Sequence, residues 1–471
     1  MSGAFDRAND NFGRRPRQFG RKFSSYTAEV GPGTPWRVAL ISAAGTVAAV
    51  IAVGAVAAGV AGGVAARRVA AQTAAAPDLV AKARTIHARV VTLDTHDDID
   101  PAHFQADCNY TQRLTTQVNL PKMDEGGLDA AFFIVYVPQG PLTADGYADA
   151  YRQAIAKFDA VRRLTDAIAP SRIGLALEAD DVPRIARSGR KVAVIGIENG
   201  YPLGTDPGRV REFRDRGGRY LSLAHNGHNQ LADSNTGETT GDAPNGGISA
   251  LGRQMLTEMN RAGVMVDVSH LSREAMLQAA AQSRAPIIAS HSGVRKLADH
   301  RRNLDDAQLQ AVKKSGGVVQ IVALSAFVKT EPAAPSQARD NALAAARKEL
   351  GIGTAPCPVE DPTSAAFREY RRRRAGILAA SPRASVVDLV NHIDYAVKLI
   401  GIEHVGIASD FDGGGGVDGW DDASETFNVT LELVRRGYGE NDIARLWSGN
   451  LLRVWKATEA VAAQLGPGSG R

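Results

Sequence analysis

The chain has 471 residues, 44% of them hydrophobic and 23% charged, which excludes disorder along its whole length. Its 2 cysteines exclude a disulfide scaffold and a four-cysteine metal site, and leave open whether Cys108 and Cys357 pair. The formal charge of +4 would suit a nucleic-acid binder only if the cations lay on the globular body, and they do not.

Residues 1–37 carry seven Lys or Arg against three acidic residues, a net of +4, and read as a disordered cytoplasmic tail. Arg67 and Arg68 add +2, so everything else sums to −2 and offers no basic face to a nucleic acid. Residues 38–66 are 29 uncharged positions, apolar or small, broken only by Ser42 and Thr46. A helix needs roughly 20 such residues to span a bilayer, so this stretch is expected to be a transmembrane helix or uncleaved signal anchor. The greater positive charge ahead of it places the body outside the cytoplasm, periplasmic or extracellular. Ala-rich sequence near 70–76 leaves cleavage and secretion open. Residues 67–88 read as a linker, with 70–88 a short Ala-rich helical connection.

From 89 to 460 one pattern recurs: a short apolar run ends in polar residues, and a helical stretch follows. The runs are 89–96, 128–137, 192–198, 220–225, 264–270, 286–292, 317–324 and 404–410, each with the continuous apolar character of a strand buried on both faces. Helices are expected at 147–168, 246–262, 272–283, 305–315 and 386–400. Eight strands alternating with helices predict an α/β fold, a (β/α)8 TIM-like barrel. Before the last strand, residues 329–385 break the rhythm with Pro-rich patches and the run Arg371–Arg374. They read as a helical insertion that covers the mouth or mediates subunit contact, with a homodimer left open. Residues 412–423 read as a mobile Gly-rich loop at the same mouth, 425–436 and 441–456 as helices, and 461–471 as a loose end.

The strand C-termini of such a barrel converge at one mouth. His96, Glu198, His225, His270, His291 and Asp410 would then face one cavity from six strands. His96 and Asp98 stand two apart in DTHDD and point to one side of an extended chain. An imidazole and a carboxylate placed so can hold a borderline metal such as zinc. Glu198, ending VAVIGIE, has two oxygens and can bridge two cations. One histidine after a strand is more often a satisfied polar residue than a ligand. Two after successive parallel strands, His270 and His291, are harder to dismiss, because neighbouring strands lie about 4.8 Å apart. The five residues offer His96, Asp98 and Glu198 to one metal and Glu198, His270 and His291 to a second. A carboxylate-bridged pair lowers the pKa of a water held between the ions and polarises a carbonyl oxygen.

These residues lie in DTHDDI (94–99), IGIENG (195–200), RYLSLAHNGHNQLADS (219–234), GVMVDVSHLS (263–272), IIASHSGVRKL (287–297), HRRNLDD (300–306) and GIASDFDG (406–413). With NLPKMDEGGLDAAFFIVYVP (119–138) and GGVVQIV (316–322), the body resembles the renal, or membrane, dipeptidase family of metallopeptidases over most of 89–455. The resemblance implies a barrel with two Zn2+ per chain, hydrolysing dipeptides by a hydroxide held between the metals. Its ligands would be the same five residues, His96, Asp98, Glu198 (bridging), His270 and His291. It also implies that His225 supports the tetrahedral intermediate, that Arg302 engages the substrate carboxylate, and that Asp410 is the acid/base. Family members often accept a D-residue at the second position.

The sequence departs from the family pattern at Asn199-Gly200-Tyr201, where Gly-Gly-His is common, and at Phe327, near where a substrate-contacting tyrosine is expected. The mammalian enzyme is lipid-anchored at its C-terminus. Here the C-terminus has no apolar tail, so attachment is expected at the front. Two alternatives stand beside the zinc dipeptidase: another binuclear amidohydrolase, such as an N-acyl-amino-acid deacylase, and a non-catalytic membrane-tethered binding protein.

Overall fold

The computed structural model describes residues 77–353 and 355–466, which belong to one compact unit, Ala74–Arg471. The expected tail and the apolar stretch 38–66 lie outside the described residues. Among the described residues no helix is long and apolar enough to cross a membrane.

Nine parallel strands form the sheet: β1 (Leu93–Asp98), β2 (Ala130–Tyr136), β3 (Ile173–Leu175), β4 (Lys191–Glu198), β5 (Gly218–Ser222), β6 (Met265–Asp267), β7 (Ile287–Ser292), β8 (Val318–Val322) and β9 (Val405–Ala408). Eight run in the order β1-β2-β4-β5-β6-β7-β8-β9, and the short β3 pairs only with β4. The eight expected strands are these eight. The sequence did not announce β3, whose three residues are too few to show a period. The ends of the order approach each other: Asp98 N–H donates to Phe411 O at 2.8 Å, just beyond β9, and Ser409 N–H to Asp94 Oδ1 at 2.9 Å. The result is a nearly closed, TIM-like barrel with helices around it.

Alternation along the strands divides the core. Phe132 and Ile134 of β2 and Val192 and Val194 of β4 join an inner cluster with Leu93, Tyr220 and Ile288. Their neighbours Ala131, Phe133, Ala193 and Ile195 face the helices. Each fully buried Val, Leu, Ile or Phe side chain among them contributes roughly 1.5–3 kcal/mol. Inside the barrel the rings of Trp455, Phe132, Tyr220 and His96 form a continuous column, with centroids 6.2, 5.2 and 6.4 Å apart. Gly196 makes room for it, because a Cβ there would lie 2.3 Å from the Tyr220 ring.

Helix starts follow from local chemistry. The Asp305–Gln308 capping box opens Asp306–Lys314, and the Ser385–Asp388 box opens Val386–Ile400. The helix Pro77–His87 buries Ala83 and Ile86, and His87 Nε2 bonds Gly126 O at 2.9 Å. The later part of the expected linker 67–88 is thus packed on the body, because its apolar face has a partner.

The insertion contains the helices Ala333–Glu349 and Ala365–Ala380. It is fastened to the segment after β1 by a Cys108–Cys357 disulfide with Cα atoms 5.6 Å apart. Backbone bonds of 2.7 Å, Thr115 N–H to Pro358 O and Glu360 N–H to Arg113 O, reinforce the junction. The expected mobile loop 412–423 is instead pinned by Gln117. Its amide donates to Gly415 O at 3.0 Å and Asp421 O at 2.7 Å, and its Oε1 accepts from Asp412 N–H at 2.8 Å.

Candidate metal centre and active site

The strand ends deliver a cavity of about 720 Å³ at the C-terminal mouth, lined by every sequence-predicted site residue except His96, which lies beneath it. His96, Glu198, His270, His291, Arg302 and Asp410 are all buried, while Asp98 and His225 are half-buried. Glu198 sits in the middle. Its Oε2 lies 3.7 Å from His96 Nε2 and 4.0 Å from His225 Nε2. Its Oε1 lies 3.0 Å from His270 Nε2 and 3.4 Å from His291 Nε2. On the other side, His96 Nε2 is 3.9 Å from Asp98 Oδ2 and 4.0 Å from Asp410 Oδ1.

Three clusters of candidate ligand atoms result, each within 4.8 Å: His96–Glu198–His291, Glu198–His225–His270, and His96–Asp98–Asp410. All five expected ligands fall in them. The clusters group these residues differently from the sequence expectation, which paired His270 with His291 and kept Asp410 and His225 out of the ligand set.

The imidazole orientations show what the cluster is built for. Tyr220 donates its O–H to Thr95 O at 3.0 Å, so its oxygen accepts from His96 Nδ1 at 2.8 Å. Ser290 Oγ donates to Asp267 Oδ2 at 2.7 Å and accepts from His291 Nδ1 at 2.8 Å. His270 Nδ1 donates to Asn226 Oδ1 at 3.2 Å. In each ring the proton is held on Nδ1 and the Nε2 lone pair faces the centre, the arrangement of metal-ligating histidines. Two such lone pairs, on His270 and His291, stand 3.0 Å apart beside Glu198 Oε1. Three acceptors facing one another need a cation among them. His96 Nε2 and Glu198 Oε1 accordingly lack any hydrogen-bond donor. The residues fit a binuclear metal site.

Electrostatics agree. Burial opposes the charge on Glu198, yet His96, His225 and His270 hold its carboxyl well below the usual range. Burial would lower His96, but Glu198, Asp410 and Asp98 raise it to about 9, so its Nε2 takes up a proton wherever no metal competes for the lone pair. Burial, only partly offset by His96, keeps Asp410 well above the ordinary carboxylate value, a property suited to proton transfer.

The backbone is bent to deliver these groups. Among the described residues, the non-glycine positions with positive φ are Asn199 (73°), His270 (69°), Asp410 (62°) and Asp412 (59°), and all four belong to or adjoin the site. Such conformations are costly for residues with a Cβ and persist where the surroundings enforce them. Gly413 packs so closely that a Cβ there would lie 2.3 Å from Asp98 Oδ2 and 2.4 Å from Asp410 Oδ1.

The opposite wall carries Arg302. One guanidinium nitrogen donates to His291 O at 3.1 Å, its Cζ lies 5.4 Å from the centroid of the Phe327 ring, and its Nε is buried without a partner. With one nitrogen committed to His291 O and the side chain lining the cavity, it keeps a guanidinium edge for an incoming carboxylate. Of the two departures from the family pattern, Phe327 lines the cavity, whereas Tyr201 is buried against Pro141 O at 2.7 Å and does not. Sequence reasoning missed Tyr136, Lys157, Asn226 and His300 as lining residues. Tyr136 at the end of β2 was accessible to the strand-end argument. Lys157, mid-helix, gave no signal. Among the described residues, none that lines this cavity lies in the 329–385 insertion.

Comparison with known proteins agrees with this geometry. Residues 80–467 match the family model described as membrane dipeptidase (peptidase family M19). The chain is 30% identical over 369 residues to dipeptidase tcpJ of Claviceps purpurea, covering 76% of this chain and 74% of that one. It is 28% identical over 411 residues to dipeptidase verJ of Clonostachys rogersoniana, covering 84% and 91%. Among solved structures, that of the probable dipeptidase PvdM from Pseudomonas aeruginosa superposes with a TM-score of 0.69 at 35% identity, covering 82% of this chain and 100% of that one.

Proposed function

The chain belongs to the membrane dipeptidase family, peptidase family M19, and is a metallo-dipeptidase; from that premise we propose that it uses two zinc ions to hydrolyse free dipeptides, those with a C-terminal D-residue included. The observation that carries this reading is Glu198 set between His96 on one oxygen and His270 and His291 on the other, with lone pairs turned inward. His96, Asp98, Glu198, His270 and His291 would hold the ions. When bound, the pair supplies Lewis acidity and makes a nucleophilic water available near neutral pH.

The protein's own groups do the rest. Asp410, lifted by burial, accepts the proton of the attacking water and delivers it to the leaving amine. His225 stands 4.0 Å from Glu198 Oε2 and donates to the oxyanion as charge develops on the carbonyl oxygen. Arg302 grips the free carboxylate through the guanidinium edge that lines the cavity. Recognition of a terminal carboxylate in a buried site favours short peptides over proteins.

The body is placed outside the cytoplasm in this reading, carried by residues 38–66. The disulfide between Cys108 and Cys357 supports an oxidising compartment. Protease treatment of intact cells and of spheroplasts checks the location.

The decisive assay is a panel of L,L- and L,D-dipeptides beside N-acyl amino acids, with and without chelator. Dipeptide hydrolysis that is lost to chelator and restored by zinc is expected. Turnover of N-acyl amino acids alone defeats the proposal.

A further inference from the structure

Two cationic side chains stand on opposite sides of the ligand cluster. Arg302 follows β7, and Lys157 lies on the helix Ala144–Arg163, which follows β2. In the eight-strand order, β2 and β7 are four places apart, the full width of the barrel. Both residues line the same cavity. Lys157 is fixed there by its neighbours, because Ala154 and Phe158 are buried in the core on the same helix.

The surroundings of Lys157 leave its ammonium without a partner. It lies 5.7 Å from the centroid of the Tyr136 ring, and that ring packs on His225 at 4.6 Å. Among the described residues no carboxylate oxygen comes within 4.0 Å of its Nζ, and it makes no hydrogen bond. The carboxylates it feels are Asp98, Glu198 and Asp100. The first two face the proposed cation sites, and Asp100 Oδ1 already accepts from Ala102 N–H at 2.9 Å. A partly desolvated ammonium with no counter-charge of its own is poised for an anion from the cavity.

A dipeptide held by its carboxylate at Arg302, with its peptide carbonyl over the cluster, extends its N-terminal residue towards β2. We propose that Lys157 pairs with a second carboxylate there, on the side chain of the N-terminal residue, so that the preferred substrates are dipeptides beginning with an acidic residue. This rests on the dipeptidase reading above. Lys157 is a specificity residue, and it takes no part in bond breaking.

The test compares glutamyl-alanine with glutaminyl-alanine, which differ in charge and hardly in shape. The wild-type protein is expected to favour the acidic peptide about tenfold or more in kcat/KM, the effect of one charge-assisted pair. In Lys157→Met that ratio falls to about one, and in Lys157→Arg it recovers, whatever the overall rate of each variant. A wild-type ratio near one overturns the proposal without needing any variant, as does a ratio that Lys157→Met preserves. Hydrolysis of alanyl-alanine with equal treatment of the two test peptides removes only the role of Lys157. Failure to cleave any dipeptide removes the underlying reading, and this one with it.

Discussion

His96 and Tyr220 are 124 positions apart in the chain and are joined by a hydrogen bond of 2.8 Å from the imidazole Nδ1 to the phenol oxygen. Because the phenol proton is committed to Thr95 O, the bond fixes which nitrogen of His96 carries hydrogen and aims the other at Glu198. Tyr220→Phe removes that acceptor and leaves the aromatic column filled. Metal affinity is expected to fall by about 10- to 100-fold, measured by competition with a chromophoric chelator. Unchanged affinity would mean that the ring orientation is set by packing alone.

Asp410 is offered to proton transfer by burial and by its position 4.0 Å from His96. Asp410→Asn keeps the shape and abolishes the basic oxygen. A loss of about 10²–10⁴ in kcat is expected, with bound metal retained. Stoichiometry by elemental analysis beside the rate decides the matter: a variant that loses its metal too would make Asp410 a ligand, as its cluster with His96 and Asp98 also allows.

Gly413 makes a separate point about the rim. Its Cβ position overlaps oxygens of both Asp98 and Asp410, so Gly413→Ala must displace at least one of them. Activity is expected to fall by about 10²-fold or more, the cost of roughly 1 Å of misplacement. The unfolding midpoint should shift much less than the activity does. A fully active Gly413→Ala protein would show that the loop yields freely, despite the Gln117 clamp.

Stability should fall as the pH drops, and His392 is one identifiable cause. Burial lowers its pKa below 6.5, against the pull of the Val328 carbonyl. Its Nδ1 accepts from Val294 N–H at 3.0 Å and its Nε2 donates to Val328 O at 2.8 Å, so a second ring proton would point at a donor. The folded state therefore keeps this ring neutral where the unfolded chain takes up a proton. Its contribution is complete above the unfolded value of 6.5 and declines as the pH falls below it. Urea midpoints between pH 8 and pH 5 should drop less steeply in His392→Gln than in the parent. Parallel slopes would assign the pH effect elsewhere.

The order of strands and the chemistry at their ends were legible along the chain. Apolar runs such as VAVIGIE and PIIASH state their own burial, and a barrel brings their last residues together whatever the details. Capped helix starts such as Ser385–Asp388 are equally local. Pairings across the fold carry no such mark. The seating of His291 on Ser290 and Asp267, the pinning of loop 412–423 by Gln117, and the joining of Cys108 to Cys357 each unite segments whose separate sequences do not specify the distance between them. Lys157 is the sharpest case. In its helix it is one cation among many, and only the curvature of the barrel turns it towards a cavity whose other wall is Arg302. Sequence alone determined which residues could bind metal. Tertiary structure decided which nitrogen of each imidazole faces the centre and which charges are left for a substrate, because hydrogen-bond direction and burial exist only once distant segments have met.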